Sequence, residues 1–285
     1  MALLRCGPVA APLDRDALRG TLGPPAGPWA SLEVMPSTGS TNADLVALAG
    51  APAAAPDRTV LVAEHQDAGR GRRDRVWSDR AGEGLTFSVL LRPREVAVER
   101  WGWAPLLAGL ALVEAVGEVT GGEVPAALKW PNDLLLGAGG AKGAGVLAEV
   151  AAGGGDERAL VVGIGINVAT PVADLPAGGT SLAAEGAGHL GRDTVLVAVL
   201  RALAELDDRW RGAYGDVVAA GLVDDYRARC ATLGREVSVT LPGGRVLEGR
   251  AVDVDRDGRL AVREPGGDTT VVSAGDVVHV RPAGR

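Results

Sequence analysis

Apolar and polar positions follow two different rhythms along this chain, and the change of rhythm divides it. Up to about residue 230, short apolar runs alternate with longer helical periods. Beyond 231 only short β-type runs remain. "STNADLVALA" opens on cap residues and sets Leu45, Leu48 and Ala49 at helical spacing, so a helix is predicted over 42–49. "RTVLVAEHQ" (58–66) and "LTFSVLLRP" (85–93) are rich in β-branched and apolar residues and are predicted strands. Between them, "DAGRGRRDRVWSDRAGEG" has no apolar period and reads as a loop. "ERWGWAPLLAGLALVEAVGEVTG" (99–121) is predicted to be one long apolar helix ending at glycine. "DLLLGAGGAKGAGVLAEVA" (133–151) reads as two strands around a Gly-rich turn, and "ALVVGIGINVA" (159–169) as a third. A loop, "PVADLPAGGTSL", then leads to amphipathic helices over 192–210 and 216–230.

After "ATLGREV" come "EVSVTL", "VLEGRAVDVD", "RLAVRE" and "TTVVSAGDVVHV", separated by turns at Pro242-Gly243-Gly244, Asp257-Gly258 and Pro265-Gly266-Gly267. Short strands at that spacing predict a small barrel. The expected class is therefore α+β: a mixed β-sheet domain with flanking helices over 1–230 and a small β-barrel over 231–285. The first 36 residues hold one short possible helix, "LDRDALRG", and an apolar stretch ending at Met35, which leaves no room for a helix-turn-helix unit.

Composition narrows the function. A formal charge of -7 is wrong for a protein that coats nucleic acid, which needs a basic face. Cys6 and Cys230 are too few for a disulfide framework or a cysteine metal cluster, and no CxxC or HExxH spacing occurs. With no leader pattern and no apolar run of about 18 residues expected, the reading is a cytoplasmic protein without a membrane span. The 42 glycines reflect a drift of the whole chain, so Gly-rich motifs carry less weight than usual.

The basic residues are more telling. Of 29, only Lys129 and Lys142 are lysine, and both fall in "KWPNDLLLGAGGAK". Lysine is a compact, flexible point charge where arginine is a rigid planar fork, so its retention here suits a place where an ammonium must sit close to a ligand. Lys142 begins "KGAGVLAEV", where Gly143 and Gly145 are expected to leave space for a bound molecule. A lysine beside a carboxylate and a phosphate would hold the charge that builds during acyl transfer to phosphorus. In "GRGRRDRVW" (69–77), Arg70, Arg72, Arg73 and Arg75 can surround an anion with planar donors, and glycines let the backbone approach it. A solvated arginine-rich loop has the same composition. "GIGIN" (163–167) is a strand with one bare face that ends on Asn167, a shape that suits a ligand laid across it.

In this order, "GSTN" (39–42), "GRGRRDRVW", "KWPND" (129–133), "KGAGVLAEV" and "GIGIN" resemble the biotin protein ligases, and the resemblance runs from about residue 37 to the C-terminus. It implies a class II synthetase-like catalytic domain with an SH3-like terminal barrel. It also implies a two-step reaction, in which biotin and MgATP give biotinyl-5'-AMP and pyrophosphate and a lysine of a carboxylase carrier domain then takes the biotin. Carried over by position, Ser40, Thr41, Asn42 and Gln66 would meet the biotin ring. Arg70, Gly71 and Arg72 would wrap its acyl chain and the adenylate phosphate, with Gly145 beneath. Lys142 would touch the carboxylate and the α-phosphate, making Lys142, Arg70 and Arg72 the expected catalytic residues. Arg75, Trp77, Lys129, Asn132, Asp133 and Asn167 would belong to the nucleotide side. The carboxylates that hold magnesium are not assigned. Asp74 departs from the arginine-loop pattern and lowers its charge. With only about 36 residues ahead of "GSTN", the chain resembles the members that do not bind DNA. A lipoate or octanoate ligase or transferase of related fold is the alternative enzyme, from which "GRGRR" and "KWPND" are not expected, and a biotin-sensing regulator or a nucleotide-binding module is the alternative outside catalysis.

Overall fold

The structure, a computed structural model, describes residues 11–51, 55–72, 75–78, 80–152, 157–241, 243–273 and 276–279. Readings made on Cys6, Arg73, Asp74 and Pro242 lie outside those residues. A seven-stranded mixed sheet carries the first part of the chain, in the order β1-β2-β3-β7-β6-β5-β4. Its strands are β1 (Ser31–Met35), β2 (Thr59–Ala63), β3 (Gly84–Leu91), β4 (Ala126–Lys129), β5 (Asp133–Leu136), β6 (Ala141–Ala152) and β7 (Arg158–Asn167). Only β1 and β2 run parallel; the other neighbours are antiparallel. The short strand β4 was not expected from the sequence.

All eight residues of β3 are buried, because both faces of the sheet are covered there. Leu85, Phe87, Val89 and Leu91 face a large core shared with α3 (Ala104–Val119) and α4 (Arg192–Gly212). Leu90 joins a smaller core under α2 (Thr41–Ala49), with Leu45, Ala49, Leu61, Val161 and Ala159. Alternate residues of a strand point to opposite faces, so Thr86 and Ser88 lie on the α2 side as well. That side holds the cavity described below.

The long helix is divided in two, with a 3₁₀ turn over Val98–Trp103 leading into α3. Together they make one run over Val98–Val119 that is long and apolar enough to cross a membrane, against the expectation that no such run exists. It packs as a core helix against α4, 61% buried within the fold. The predicted helix over 216–230 shortens to α5 (Leu222–Arg229), since Gly221 sits at φ +71° and interrupts it. A short helix, α1 (Arg15–Leu22), is capped by Asp14 and rests on α4 and β1.

The terminal segment forms a five-stranded antiparallel sheet in the order β11-β10-β9-β8-β12. Its strands are β8 (Glu236–Thr240), β9 (Val246–Val254), β10 (Leu260–Arg263), β11 (Thr269–Val272) and β12 (Asp276–His279). "TTVVSAGDVVHV" is thus two strands rather than one run, and they stand at opposite ends of the sheet order. The two sheets are joined by tryptophans whose indoles reach backbone carbonyls: Trp130 Nε1 donates to Gly258 O at 2.9 Å and Trp103 Nε1 to Arg256 O at 2.7 Å. The indole of "KWPND" is therefore a buried brace.

Candidate active site

The cavity on the α2 face measures about 300 Å³. Register explains its floor. Thr86, Gly165, Gly145 and Asp133 stand opposite one another across β3, β7, β6 and β5, and Ser88, Gly163 and Leu147 form the adjacent row. Residues in register share a face, so the glycines of "GIGIN" lower the floor between polar neighbours. A Cβ at Gly163 would lie 2.2 Å from Asn42 Oδ1, and one at Gly165 2.3 Å from Trp77 Cε2, so both bare positions are covered by side chains that need the space.

At the α2 end the polar groups form a buried chain. Ser40 caps α2, accepting from Ala43 N at 3.5 Å. Gln66 Oε1 accepts from Thr41 N at 2.8 Å and lies 3.1 Å from Thr41 Oγ1. Thr41 Oγ1 and Ser88 Oγ are 2.7 Å apart, and Ser88 Oγ donates to Asn42 Oδ1 at 2.7 Å. Asn42 Nδ2 donates to Glu149 Oε2 at 2.8 Å and to Leu147 O at 3.3 Å.

The other end is cationic. β6 carries a bulge: Leu134 pairs with Ala144 and Leu135 with Lys142, which leaves Gly143 as the extra residue. The extra residue resets the alternation and turns Lys142 and Gly145, three apart, to the same side. A Cβ at Gly145 would lie 3.4 Å from Lys142 Nζ, whereas one at Gly143 would collide with Leu136 at 2.2 Å. The sequence reading is corrected on this point, since Gly145 opens onto the cavity and Gly143 packs against Leu136. Lys142 Nζ pairs with Asp133 Oδ1 at 2.5 Å. The backbone of Lys142 also pairs with the loop before Thr180, accepting from Thr180 N and donating to Gly178 O. That loop, Leu175 to Gly179, makes the far wall.

The arginine loop closes over the top as a narrow hairpin. Gly71 N donates to Arg75 O, Trp77 N to Gly69 O, and Arg70 bridges to Val76. Arg72 Nη1 donates to Asn132 Oδ1 at 3.1 Å, and Arg70 Nη1 stands 3.4 Å from Glu149 Oε1. Asn132 is held in turn by donating from Nδ2 to Val146 O. Asn167 is anchored by its Nδ2 on Thr180 O.

Of the residues expected at a site, Ser40, Thr41, Asn42, Gln66, Arg70, Gly71, Arg72, Arg75, Trp77, Asn132, Asp133, Lys142, Gly145 and Asn167 all line this cavity. Lys129 does not. It ends β4, the edge strand beyond β5, and its charge acts on His279 of β12. Burial, then Lys129 and Arg235, push the His279 imidazole down to about 4. Thr86, Ser88, Glu149 and the Leu175 loop were missed. Thr86 and Ser88 were visible as polar positions two apart in an apolar run; Glu149 left no signal of its own.

Comparison with known proteins agrees with this geometry. Residues 34–167 match the biotin/lipoate A/B protein ligase family and residues 232–280 the biotin protein ligase C terminal domain. A biotin--[acetyl-CoA-carboxylase] ligase of Mycobacterium tuberculosis is 44% identical over 95% of this chain and 97% of its own length. One from Paracoccus denitrificans is 34% identical over 83% of this chain and 96% of its own. Among solved structures, a biotin protein ligase from Aquifex aeolicus in complex with biotin and ATP superposes with a TM-score of 0.71 at 27% identity, covering 89% of this chain and all of that one.

Proposed function

This chain belongs to the biotin protein ligase family, and we propose that its cavity binds biotin at the α2 end and ATP at the Lys142 end. The activity is ATP-dependent ligation of biotin to protein. In the first step a biotin carboxylate oxygen attacks the α-phosphorus and the bond to the β-phosphate breaks, so pyrophosphate leaves and biotinyl-5'-AMP remains. In the second, the amine of a carrier lysine attacks the acyl carbon, the bond to AMP breaks, and the amine gives up a proton. The proposed acceptor is a carboxylase carrier domain, and the proposed location is the cytoplasm. The catalytic part is assigned to residues 1–230 and the terminal part to 231–285.

The observation that carries this reading is the polarity of one cavity. Neutral, buried hydrogen-bonding groups line the α2 end and Lys142 the other, with Arg70 and Arg72 from the loop beside them, about the layout an uncharged ring with an anionic tail requires. The ring's carbonyl accepts and its two N–H groups donate, roles that Ser40, Thr41, Asn42 and Gln66 can answer. Lys142, on the same face as Gly145, is assigned to the charge shared between carboxylate and α-phosphate, with Arg70 and Arg72 closing from above. Trp77, Arg75, Asn132 and Asn167 are assigned to the nucleotide. Lys129 is withdrawn from that set, since it stands outside the cavity lining.

Magnesium enters as part of the substrate MgATP. Among the described residues no three His, Cys, Asp or Glu side chains form a metal cluster. Mg²⁺ typically keeps several waters and binds through substrate phosphates and one or two carboxylates, and among the described residues Asp133 is the carboxylate lining the cavity.

A lipoate or octanoate ligase fits the polarity poorly, because an alkyl chain offers no hydrogen-bonding partner to the Ser40, Thr41 and Gln66 side chains that line the α2 end. The test is to incubate the chain with MgATP and a carrier domain, supplying biotin or octanoate in turn, and to read the carrier's mass. One biotin added, only with ATP, is expected. No gain with biotin, or an equal gain with octanoate, refutes the assignment.

A further inference from the structure

Glu149 does not line the cavity, yet it ends the buried chain of polar groups that does. A carboxylate has acceptors only, so it can bond Asn42 solely through the amide NH₂. Asn42 Nδ2 meets Glu149 Oε2 at 2.8 Å, which forces Oδ1 to the other side, over Gly163 and against Ser88. Ser88 has one hydroxyl proton and spends it on Asn42 Oδ1, so at 2.7 Å it must accept from Thr41. Thr41 has one proton for two acceptors, Ser88 Oγ at 2.7 Å and Gln66 Oε1 at 3.1 Å, and the demand at Ser88 assigns it to the shorter contact, leaving the Thr41 oxygen's lone pairs as acceptors. Gln66, held through Oε1 by Thr41 N, keeps its NH₂ as a donor. One carboxylate therefore sets the direction of every hydrogen bond from Asn42 to Thr41.

We propose that Glu149 is a positioning residue that fixes the donor and acceptor pattern recognising the biotin ring, acting through Asn42 and Ser88 without touching the ligand. This rests on the proposed placement of the ring at the α2 end. With the carboxylate present, Asn42 and Thr41 offer oxygens to the ring N–H groups. Without it, the Asn42 amide can turn and present a donor where the ring also has one. Leu147 O, at 3.3 Å from Nδ2, is a second and longer acceptor that opposes the turn in part.

Glu149 also stands 3.4 Å from Arg70, so its charge must be separated from its acceptor role. Glu149→Gln does this: the amide oxygen still accepts from Asn42, Leu147 O favours the original orientation, and the charge is gone. Glu149→Ala removes both. Biotin affinity by calorimetry, kcat, the KM values for biotin and ATP, and thermal stability are measured for each. Losing one partner of a buried polar group gives an expected fall in biotin affinity of about tenfold for Glu149→Ala and within about threefold for Glu149→Gln. Any change in the ATP KM or kcat reports the loss of the charge beside Arg70, which both variants share, and should be equal in the two. In a Ser88→Ala background, where the relay is already cut, Glu149→Ala should add little.

Equal losses in the two Glu149 variants would show that the Arg70 ion pair is what counts and overturn the proposal. An unchanged biotin affinity in Glu149→Ala, or full additivity with Ser88→Ala, overturns it as well. A wild-type chain that binds no biotin overturns the ligand assignment and this inference with it, whereas normal wild-type binding with any of the preceding results overturns the inference alone.

Discussion

Replacing Lys142 by alanine should cripple the adenylation step while leaving the fold and ATP binding much less affected. Two effects add. The ammonium is lost from the charge that grows between the biotin carboxylate and the α-phosphate, and donors of that kind typically supply about 2.7–4 kcal/mol to a transition state. Its removal also leaves Asp133, which it contacts at 2.5 Å and whose side chain is only 15% exposed, facing phosphate without a counter-charge. Two like charges about 4 Å apart repel by roughly 1 kcal/mol in water and 4 kcal/mol at an effective dielectric near 20, and the magnesium of MgATP, which Asp133 is proposed to meet, holds the penalty toward the lower figure. The first effect is confined to the transition state and lowers the rate; the second opposes nucleotide already in the ground state. Single-turnover formation of biotinyl-AMP should therefore slow by roughly a hundredfold to a thousandfold, with a smaller rise in the ATP Kd. Lys142→Arg should restore only part of the rate, because the fork must fit where a Cβ at Gly145 would already stand 3.4 Å from Nζ. Transfer of biotin from synthetic biotinyl-AMP to the carrier serves as the control for intact folding. Wild-type adenylation rates in both Lys142 variants, or an ATP Kd that rises as steeply as the rate falls, refute this role.

Arg72→Ala removes a donor from Asn132 and from the proposed adenylate phosphate, so release of preformed biotinyl-AMP should rise roughly tenfold to a hundredfold with little change in melting temperature; an unchanged release rate counts against it. Gly165→Val puts carbon where the Trp77 ring lies, 2.3 Å from a built Cβ, and should raise the ATP KM by roughly tenfold through loss of that aromatic contact, whereas an unaltered KM means Trp77 does not serve the nucleotide. His279 is held at about 4 in the folded chain against an ordinary 6.5, so the unfolded chain takes up a proton first as pH falls. Its contribution is complete above about 6.5 and is lost on the way down to about 4, on the order of 1–2 kcal/mol once its partial exposure is discounted. Urea titrations at a series of pH values should show this slope flattened in His279→Asn, and an identical slope in the variant sinks the assignment.

The parts of the site that could be read from the sequence were those set by local chemistry. Ser40 followed by a helical period announces a helix start, and glycines at 163 and 165 announce one bare strand face whatever lies beside it. What could not be read depends on partners distant in the chain. Gly143 and Gly145 look alike in "KGAG", and only the register against β5 makes the first a bulge and the second a cavity floor. Lys129 and Lys142 lie thirteen positions apart, yet the sheet order puts β5 between β4 and β6, so one lysine reaches the cavity and the other the terminal sheet. Glu149 is an ordinary acidic residue in the sequence, and its place in the site exists only because Asn42 is brought to it from 107 residues away.

The pairings also bear on how anions enter. Arg70 stands against Glu149, Arg72 against Asn132 and Lys142 against Asp133, so each of these cations has a protein acceptor. Unpaired charge in a half-buried pocket is costly, and these acceptors offset that cost before any substrate arrives. A carboxylate or phosphate must then bind by exchange, taking donors from side chains that are themselves held elsewhere, Asn132 by Val146 O and Glu149 by Asn42. The exchange returns little energy for a neutral ligand, which brings no acceptor of comparable strength, and more for an acyl-phosphate, which brings several. Selectivity for an anionic tail thus comes from the acceptors that surround the cations as much as from the cations themselves.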